Sequence, residues 1–456
     1  MKEKTEHKKR SELKERKPNW QEYTATVEDI EEFLRNHVYL RHNVVTGRVE
    51  CRVPAPSLTP PGRKGKYTRG EDDILEWLRQ ETDISSLPSC TGGVGDGWYP
   101  ISDRVVNTLW RTLSMTKQVR QQDIYRVIES DFSPDYHPFR YYLEHLPPWD
   151  GQDYMMELSV SVGVKGSVEE QLLFAEYLKK WLVGMVAGWV DDKVVNNVIL
   201  VLIGEQGSYK TTWFAHLLPP ELRQYFRIKT NSSRMTKDDL LVLSEYGLVC
   251  CEELDTMRPS ELNQLKAAVT MPSVDERRPY GHFTEHRRHI ASFCGTGNNV
   301  QFLSDPTGNR RWLPFEVESI DAPQDHPLDY THIYAQAYAL YRQGFRYWFS
   351  REEILALGEH NRQYETPRLE DELVELFFRR PVEGEVGEYM PVSRAMQIIC
   401  GNLSQHVNAS RLGQAFTAQG FEFKRTKHSR GYIVVQRDAG EIKERLKILA
   451  WDNKPF

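Results

Sequence analysis

The chain has 456 residues, with 59 Lys and Arg against 65 Asp and Glu, a formal net charge of −6, and 39% apolar and 27% charged residues. That balance excludes a wholly disordered chain, and it gives no bulk attraction to nucleic acid, so any such contact must come from local basic patches. The longest apolar helical run, Trp181 to Val190, is fenced by Lys179-Lys180 and Asp191-Asp192. It falls short of the ~20 residues a membrane span needs, so no membrane segment is expected.

Residues 1–18 carry many Lys and Arg with no apolar stretch behind them and read as a basic, flexible tail rather than a signal peptide. Residues 19–165 read as a mainly helical N-terminal domain. Within it, residues 27–50 suggest a helix running into a short extended pair turned at Thr46-Gly47. The Pro- and Gly-rich stretch 54–70 reads as a linker, and residues 70–82 and 101–130 look helical. A Pro-Pro break ends the segment YHPFRYYLEHLPPWDG, residues 136–151. The six cysteines, Cys51, Cys90, Cys250, Cys251, Cys294 and Cys400, form no C-x-x-C pair, which fits a reduced cytoplasm and no zinc ribbon.

From 166 to 345 the pattern becomes that of an α/β nucleotide-binding domain. Leu172, Leu173, Ala175, Tyr177, Leu178, Leu182, Met185 and Val186 are spaced as in a helix spanning 168–190. The apolar runs NNVILVLIG (196–204), GLVCC (247–251) and HIASFCGTGNN (289–299) read as strands buried on both faces of a parallel sheet, with polar residues at their carboxyl ends.

The first run leads into Gly204, Glu205, Gln206, Gly207, Ser208, Tyr209, Lys210, Thr211 and Thr212, and then into an apolar helix. A strand, a glycine-bearing loop and a helix start in that order make a phosphate cradle, in which Lys210 faces the β- and γ-phosphate oxygens of ATP and the Thr211 hydroxyl ligates Mg²⁺. Tyr209 stands where glycine usually precedes the lysine. The second run ends in Glu252 and Glu253, placed to hold the metal and activate water, or else to begin a solvated helix. The third ends in Asn298 and Asn299, where an amide orients the attacking water or simply makes a turn. Arg310 and Arg311 follow in DPTGNRRW (305–312). One of them is a candidate finger for a neighbouring subunit's nucleotide, unless it pairs with Asp305.

Residues 350–456 read as short helices at 351–358, 369–380, 393–401 and 409–419, followed by FEFKR and GYIVVQ joined by a basic turn, a winged-helix-like pattern. Lys424, Arg425, Lys427 and Arg430 form the wing. Charge of this kind suits duplex phosphates, although subunit packing is an equal use of such a module.

Together GEQGSYKT, CCEELD, LKAAVTMPSVDERRPYG, FCGTGNN and DPTGNRRW, with residues 136–151 ahead of them, resemble the virulence-associated protein E family. Its motor domain is similar to superfamily 3 helicases and the wider AAA+ class. The resemblance implies that Lys210 and Thr211 hold nucleotide and magnesium. It also implies Glu252 or Glu253 as metal ligand and base, Asn298 as sensor, and Arg310 or Arg311 as finger. By the same resemblance, the segment 275–289 is a hairpin whose Arg277, Arg278, His282, Arg287 and Arg288 track single-stranded DNA inside a hexameric ring, unless Arg277 and Arg278 pair with Asp275 and Glu276. The implied protein is a cytoplasmic ATP-dependent DNA helicase or translocase of a phage, plasmid or integrated element, served by a separate primase. The alternatives are an ATP-switched initiator or scaffold, and an ATPase of an antiphage system.

Overall fold

The three apolar runs have no polar face, so each must lie inside a sheet covered on both sides. In the computed structural model, which describes residues 23–52, 97–229, 237–276, 283–303, 309–366, 369–382, 384–402, 407–426 and 429–452, they form the centre of a mixed α/β fold. By contact the chain divides into residues 1–300 with 310–360, and residues 301–309 with 361–456.

In the first unit, α1 (Val27–His37) starts at Thr26, whose hydroxyl accepts the Asp29 N–H while Asp29 accepts from the Thr26 N–H. This reciprocal cap satisfies two amides that the first helical turn leaves without partners. The strands β1 (Tyr39–Asn43) and β2 (Arg48–Arg52) form the anticipated hairpin, with Gly47 at φ 63° in its turn. β3 (Tyr99–Pro100), the helices α2 (Asp103–Leu113) and α3 (Gln121–Ile128), and β4 (Asp135–Tyr136) complete a sheet in the order β3-β2-β1-β4. The region expected to be mainly helical thus also contains a four-stranded sheet. Two-residue strands carry no periodicity for a sequence reading to detect. The segment 70–82 lies outside the described residues.

Next come α4 (Pro138–Glu144), α5 (Tyr154–Val160), β5 (Val162–Val164) and α6 (Val168–Val190). The C-terminal half of α6 is buried against the central sheet. Two fully buried indoles fix it there, Trp181 Nε1 donating to Phe293 O at 3.0 Å and Trp189 Nε1 to Gly247 O at 3.2 Å.

The sheet itself contains β6 (Ile199–Ile203), β7 (Phe226–Lys229), β8 (Leu248–Cys251), β11 (Ser292–Gly297) and β12 (Trp312–Ile320). Helices α7 (Lys210–Leu217), α8 (Lys237–Glu245) and α9 (Pro259–Val269) connect them, and β9 (Ser273–Glu276) and β10 (Glu285–Arg288) form a separate antiparallel hairpin. The strand order is β5-β12-β6-β11-β8-β7, parallel throughout except for β5 at its edge. Two of these strands gave no clear sequence signal. β7 is a half-exposed edge strand of four residues, and β12 contains Pro314, which cannot donate to a ladder and argues against a strand when read locally.

In the second unit, α12 (Leu369–Phe377), β13 (Phe378–Arg379), β14 (Glu388–Pro391), α13 (Val392–Asn402), α14 (Ala409–Ala418), β15 (Glu422–Arg425), β16 (Arg430–Gln436) and α15 (Ala439–Asp452) follow α10 (Tyr330–Arg342) and α11 (Arg351–Asn361), the last helices before the division. The strand β16 is central and pairs antiparallel with β13, β14 and β15. Val374, Phe378, Ile399, Leu412, Phe416 and Val434 make its core.

Two outcomes follow. A Cβ on Gly247 would lie 2.5 Å from Cζ of Phe139, a fully buried ring stacked on Trp189. Gly247→Ala therefore destabilises the first unit by about 1–3 kcal/mol, read as a lower midpoint in denaturant unfolding. His137 caps α4 by accepting the Arg140 N–H, which requires a neutral ring, and burial together with Arg140 and Arg288 lowers its pKa from 6.5 to about 4. The unfolded chain takes up that proton first, so stability is full above pH 6.5 and falls as the pH drops toward 4. His137→Gln should flatten this slope in urea midpoints measured across the range.

Candidate functional site

Because β6, β8 and β11 run parallel and β11 pairs with both others, their carboxyl ends share one edge of the sheet. The loop after β6, the Glu252-Glu253 pair after β8 and Asn298 after β11 thereby line one cleft of about 390 Å³. Gln206, Gly207, Ser208, Tyr209, Lys210, Thr211, Thr212, Thr296 and Gly297 complete the lining.

Lys210 opens α7 and is buried. Its ammonium donates to Gly204 O at 2.8 Å, Glu205 O at 2.6 Å, Ser208 Oγ at 3.2 Å and Asn298 Oδ1 at 3.5 Å. Burial pulls its pKa below the usual lysine value, and the Asp255 carboxylate opposes this. The Thr211 hydroxyl donates to Glu252 Oε1 at 2.9 Å, so a hydroxyl from the first turn of α7 and a carboxylate from the loop after β8 bring two hard oxygen donors together. A small divalent cation that binds through hydroxyl, carboxylate and water oxygens fits such a pair. The first-turn amides of α7 have no helical partners and favour anions at the same end.

Tyr209 and Glu253 are the two non-glycine residues with positive φ among the described residues, at 60° and 52°, and both line this cleft. Non-glycine residues held in the left-handed region cost about 1–3 kcal/mol each and gather at functional sites. The sequence reading missed Asp255, whose Oδ1 accepts the Asn298 N–H and whose Oδ2 accepts the Asn299 N–H, each at 3.2 Å. Its signal was present in the acidic run CCEELD, three residues beyond Glu252. Arg310 is exposed and Arg311 half-buried, and neither lines the cleft.

The hairpin differs from the expectation of an exposed cationic grip. Arg277, Arg278 and His282 lie outside the described residues. Arg287 is only 10% exposed; it pairs with Glu245 Oε1 at 2.9 Å and donates to Val45 O in the β1–β2 turn. Arg288 donates to Asp191 O at 2.6 Å and Asp192 O at 3.3 Å, and pairs with the Asp192 carboxylate. Both guanidiniums are thus engaged by internal acceptors, Arg288 at the negative end of the α6 dipole. The reason is positional, since β10 packs beside the N-terminal sheet and the end of α6. In the second unit Lys424, Arg425 and Arg430 are exposed on β15 and β16. Lys427 lies outside the described residues.

The family model for the virulence-associated protein E-like domain matches residues 143–366. A search of the curated proteins found no match. Among solved structures, the apo NrS-1 C-terminal region aligns over 90% of this chain and 98% of its own, with 11% identity and a TM-score of 0.42. A RuvB mutant of Thermotoga maritima aligns over 61% of this chain and 95% of its own, with 14% identity and a TM-score of 0.23.

The ion pair of Arg287 with Glu245 is largely desolvated, so Arg287→Ala leaves a carboxylate without its partner. The expected effect is a loss of about 2 kcal/mol, below the cost of breaking a fully buried pair because Glu245 keeps some solvent contact. Urea unfolding of the full chain checks it, and an unchanged midpoint would show that the pair is not structural.

Proposed function

We propose, for a chain whose residues 143–366 form a virulence-associated protein E-like domain, that it is an ATP-hydrolysing motor acting on DNA during replication of a mobile genetic element. The observation that carries this reading is the junction of Lys210, Thr211 and Glu252 at the carboxyl edge of a parallel sheet. In this reading residues 204–212 are a P-loop of the AAA+ and superfamily 3 kind. Lys210 exchanges its loop acceptors for the β- and γ-phosphate oxygens of ATP. Thr211 and Glu252 would hold Mg²⁺, which would supply positive charge against the charge developing on the phosphates. Glu253 takes the proton of the attacking water as the γ-phosphoryl group passes to it and ADP leaves. Asn298, held by Asp255, orients that water.

Arg310 and Arg311 stand away from their own chain's cleft, which suits a finger supplied to a neighbouring copy in a ring, the hexamer being the arrangement we favour. For the second unit we propose a winged-helix-like module, in which α14 and the exposed cations of β15 and β16 meet duplex backbone. Single-stranded DNA is the other nucleic-acid partner of this reading, through the cations of segment 275–289.

The test is ATP turnover with and without single-stranded DNA. Lys210→Ala should abolish it in a protein that remains folded, and Glu253→Gln should slow it by about 100-fold or more while still binding ATP. Mixing Lys210→Ala protein with Arg310→Ala or Arg311→Ala protein should restore part of the activity, because a mixed interface pairs an intact lysine with an intact arginine. Full turnover by the Lys210 variant would end the proposal.

A further inference from the structure

Resting on the nucleotide-site reading above, a further role attaches to Tyr209. Its backbone sits at φ 60°, ψ 11°, immediately before Lys210. A Cβ in this region crowds the following carbonyl, and bulky side chains tolerate it poorly. Glycine would make the same turn without strain.

Among the described residues nothing offsets the strain. Tyr209 makes no side-chain cap bond to α7, and the residue is 49% exposed. Among the described residues its ring stacks on no neighbour and its hydroxyl has no hydrogen-bond partner. An aromatic ring left at the mouth of a polar cleft, beside a buried ammonium and opposite the other left-handed residue, Glu253, has its use in what enters the cleft. The observed outlier leads to a hypothesis of function, and the side chain, not the turn, is what the strain maintains.

We infer that Tyr209 is a nucleotide-contacting residue: its ring closes the phosphate end of the cleft against water, and its hydroxyl donates to a phosphate oxygen of a bound nucleoside triphosphate. Excluding water there strengthens the attraction between Lys210 and the phosphates, since charges interact more strongly as the local dielectric falls. The hydroxyl adds a charge-assisted hydrogen bond of the kind that phosphate oxygens accept.

The experiment compares Tyr209→Gly and Tyr209→Phe with the unaltered full chain. It uses thermal unfolding without ligand, binding of a fluorescent non-hydrolysable ATP analogue with Mg²⁺, KM and kcat for ATP, and the mass of the assembly. Tyr209→Gly should unfold no lower than the unaltered chain, because it relieves strain and removes no internal contact, yet bind the analogue roughly 10-fold more weakly, with KM rising accordingly. Tyr209→Phe should keep the unfolding temperature and lose about 3-fold in affinity, isolating the hydroxyl. A Tyr209→Gly protein that binds the analogue as tightly as the unaltered chain overturns the inference. So does one that unfolds at lower temperature, which would make the ring structural, or one that loses only assembly mass, which would turn the ring toward a neighbouring copy. Lys210→Ala separates the two readings. If it abolishes binding while Tyr209→Gly does not weaken it, the nucleotide site stands and only the role of Tyr209 falls. If the unaltered chain binds no nucleotide, both fall.

Discussion

The parallel pairing of β11 between β6 and β8 is the constraint on which the rest depends. Its register sets Gly297 opposite Ile203 and Gly295 opposite Cys251, so three loops emerge at one edge. The glycines are needed for close approach. A Cβ on Gly295 would lie 2.3 Å from Leu254 Cδ1, and one on Gly297 would lie 3.2 Å from Asp255 Oδ1. Without side chains there, the turn after β8 folds down onto β11, and Asp255 reaches the amides of Asn298 and Asn299. Gly204 is closed in similarly, with Val317 Cγ2 and O both 2.9 Å from the site of a Cβ. Small residues at the strand ends let charged loops converge.

The sheet is held flat against α6 by hydrogen bonds as well as by apolar area. Indole N–H groups at Trp181 and Trp189 would be costly to bury unpaired, and each finds a strand or loop carbonyl. Asn196 adds a third polar tie, donating to Trp181 O at 3.0 Å and Ser292 Oγ at 3.1 Å. These directional contacts fix where along the helix the strands sit, which apolar packing alone specifies less sharply. Lys180, 5% exposed, closes the same helix through Glu353 at 2.9 Å. The edge that carries the candidate site is therefore mounted on this hydrogen-bonded layer.

One continuous segment, Ser273 to Asn299, links that edge to the N-terminal sheet. It begins as the β9–β10 hairpin, whose Arg287 reaches the β1–β2 turn and whose Arg288 reaches the end of α6, and it ends at Asn298 in the cleft. Arg287 and Arg288, which a sequence reading assigns to DNA, thus brace the first unit.

The local chemistry was legible without a structure. The apolar runs within residues 196–204, 247–251 and 289–297 read as buried strands, the glycines and Lys210 follow the first of them in a loop, and Glu252, Glu253 and Asn298 stand beyond strand ends, where folding brings them to one cleft. The helix over 168–190 and the hairpin at Gly47 were visible for the same reason, since periodicity and turn chemistry are short-range properties. What tertiary structure decided was partnership. β7, β12 and the two-residue strands β3, β4 and β13 exist because a neighbour completes their ladders, and no local pattern records that. Asp255 joined the site because β11 inserts beside β8, and Arg287 left the exposed surface because Glu245 and Val45 lie against it. A sequence states the charge and shape of each side chain. Which acceptor a charge meets depends on residues far along the chain, brought near only by folding.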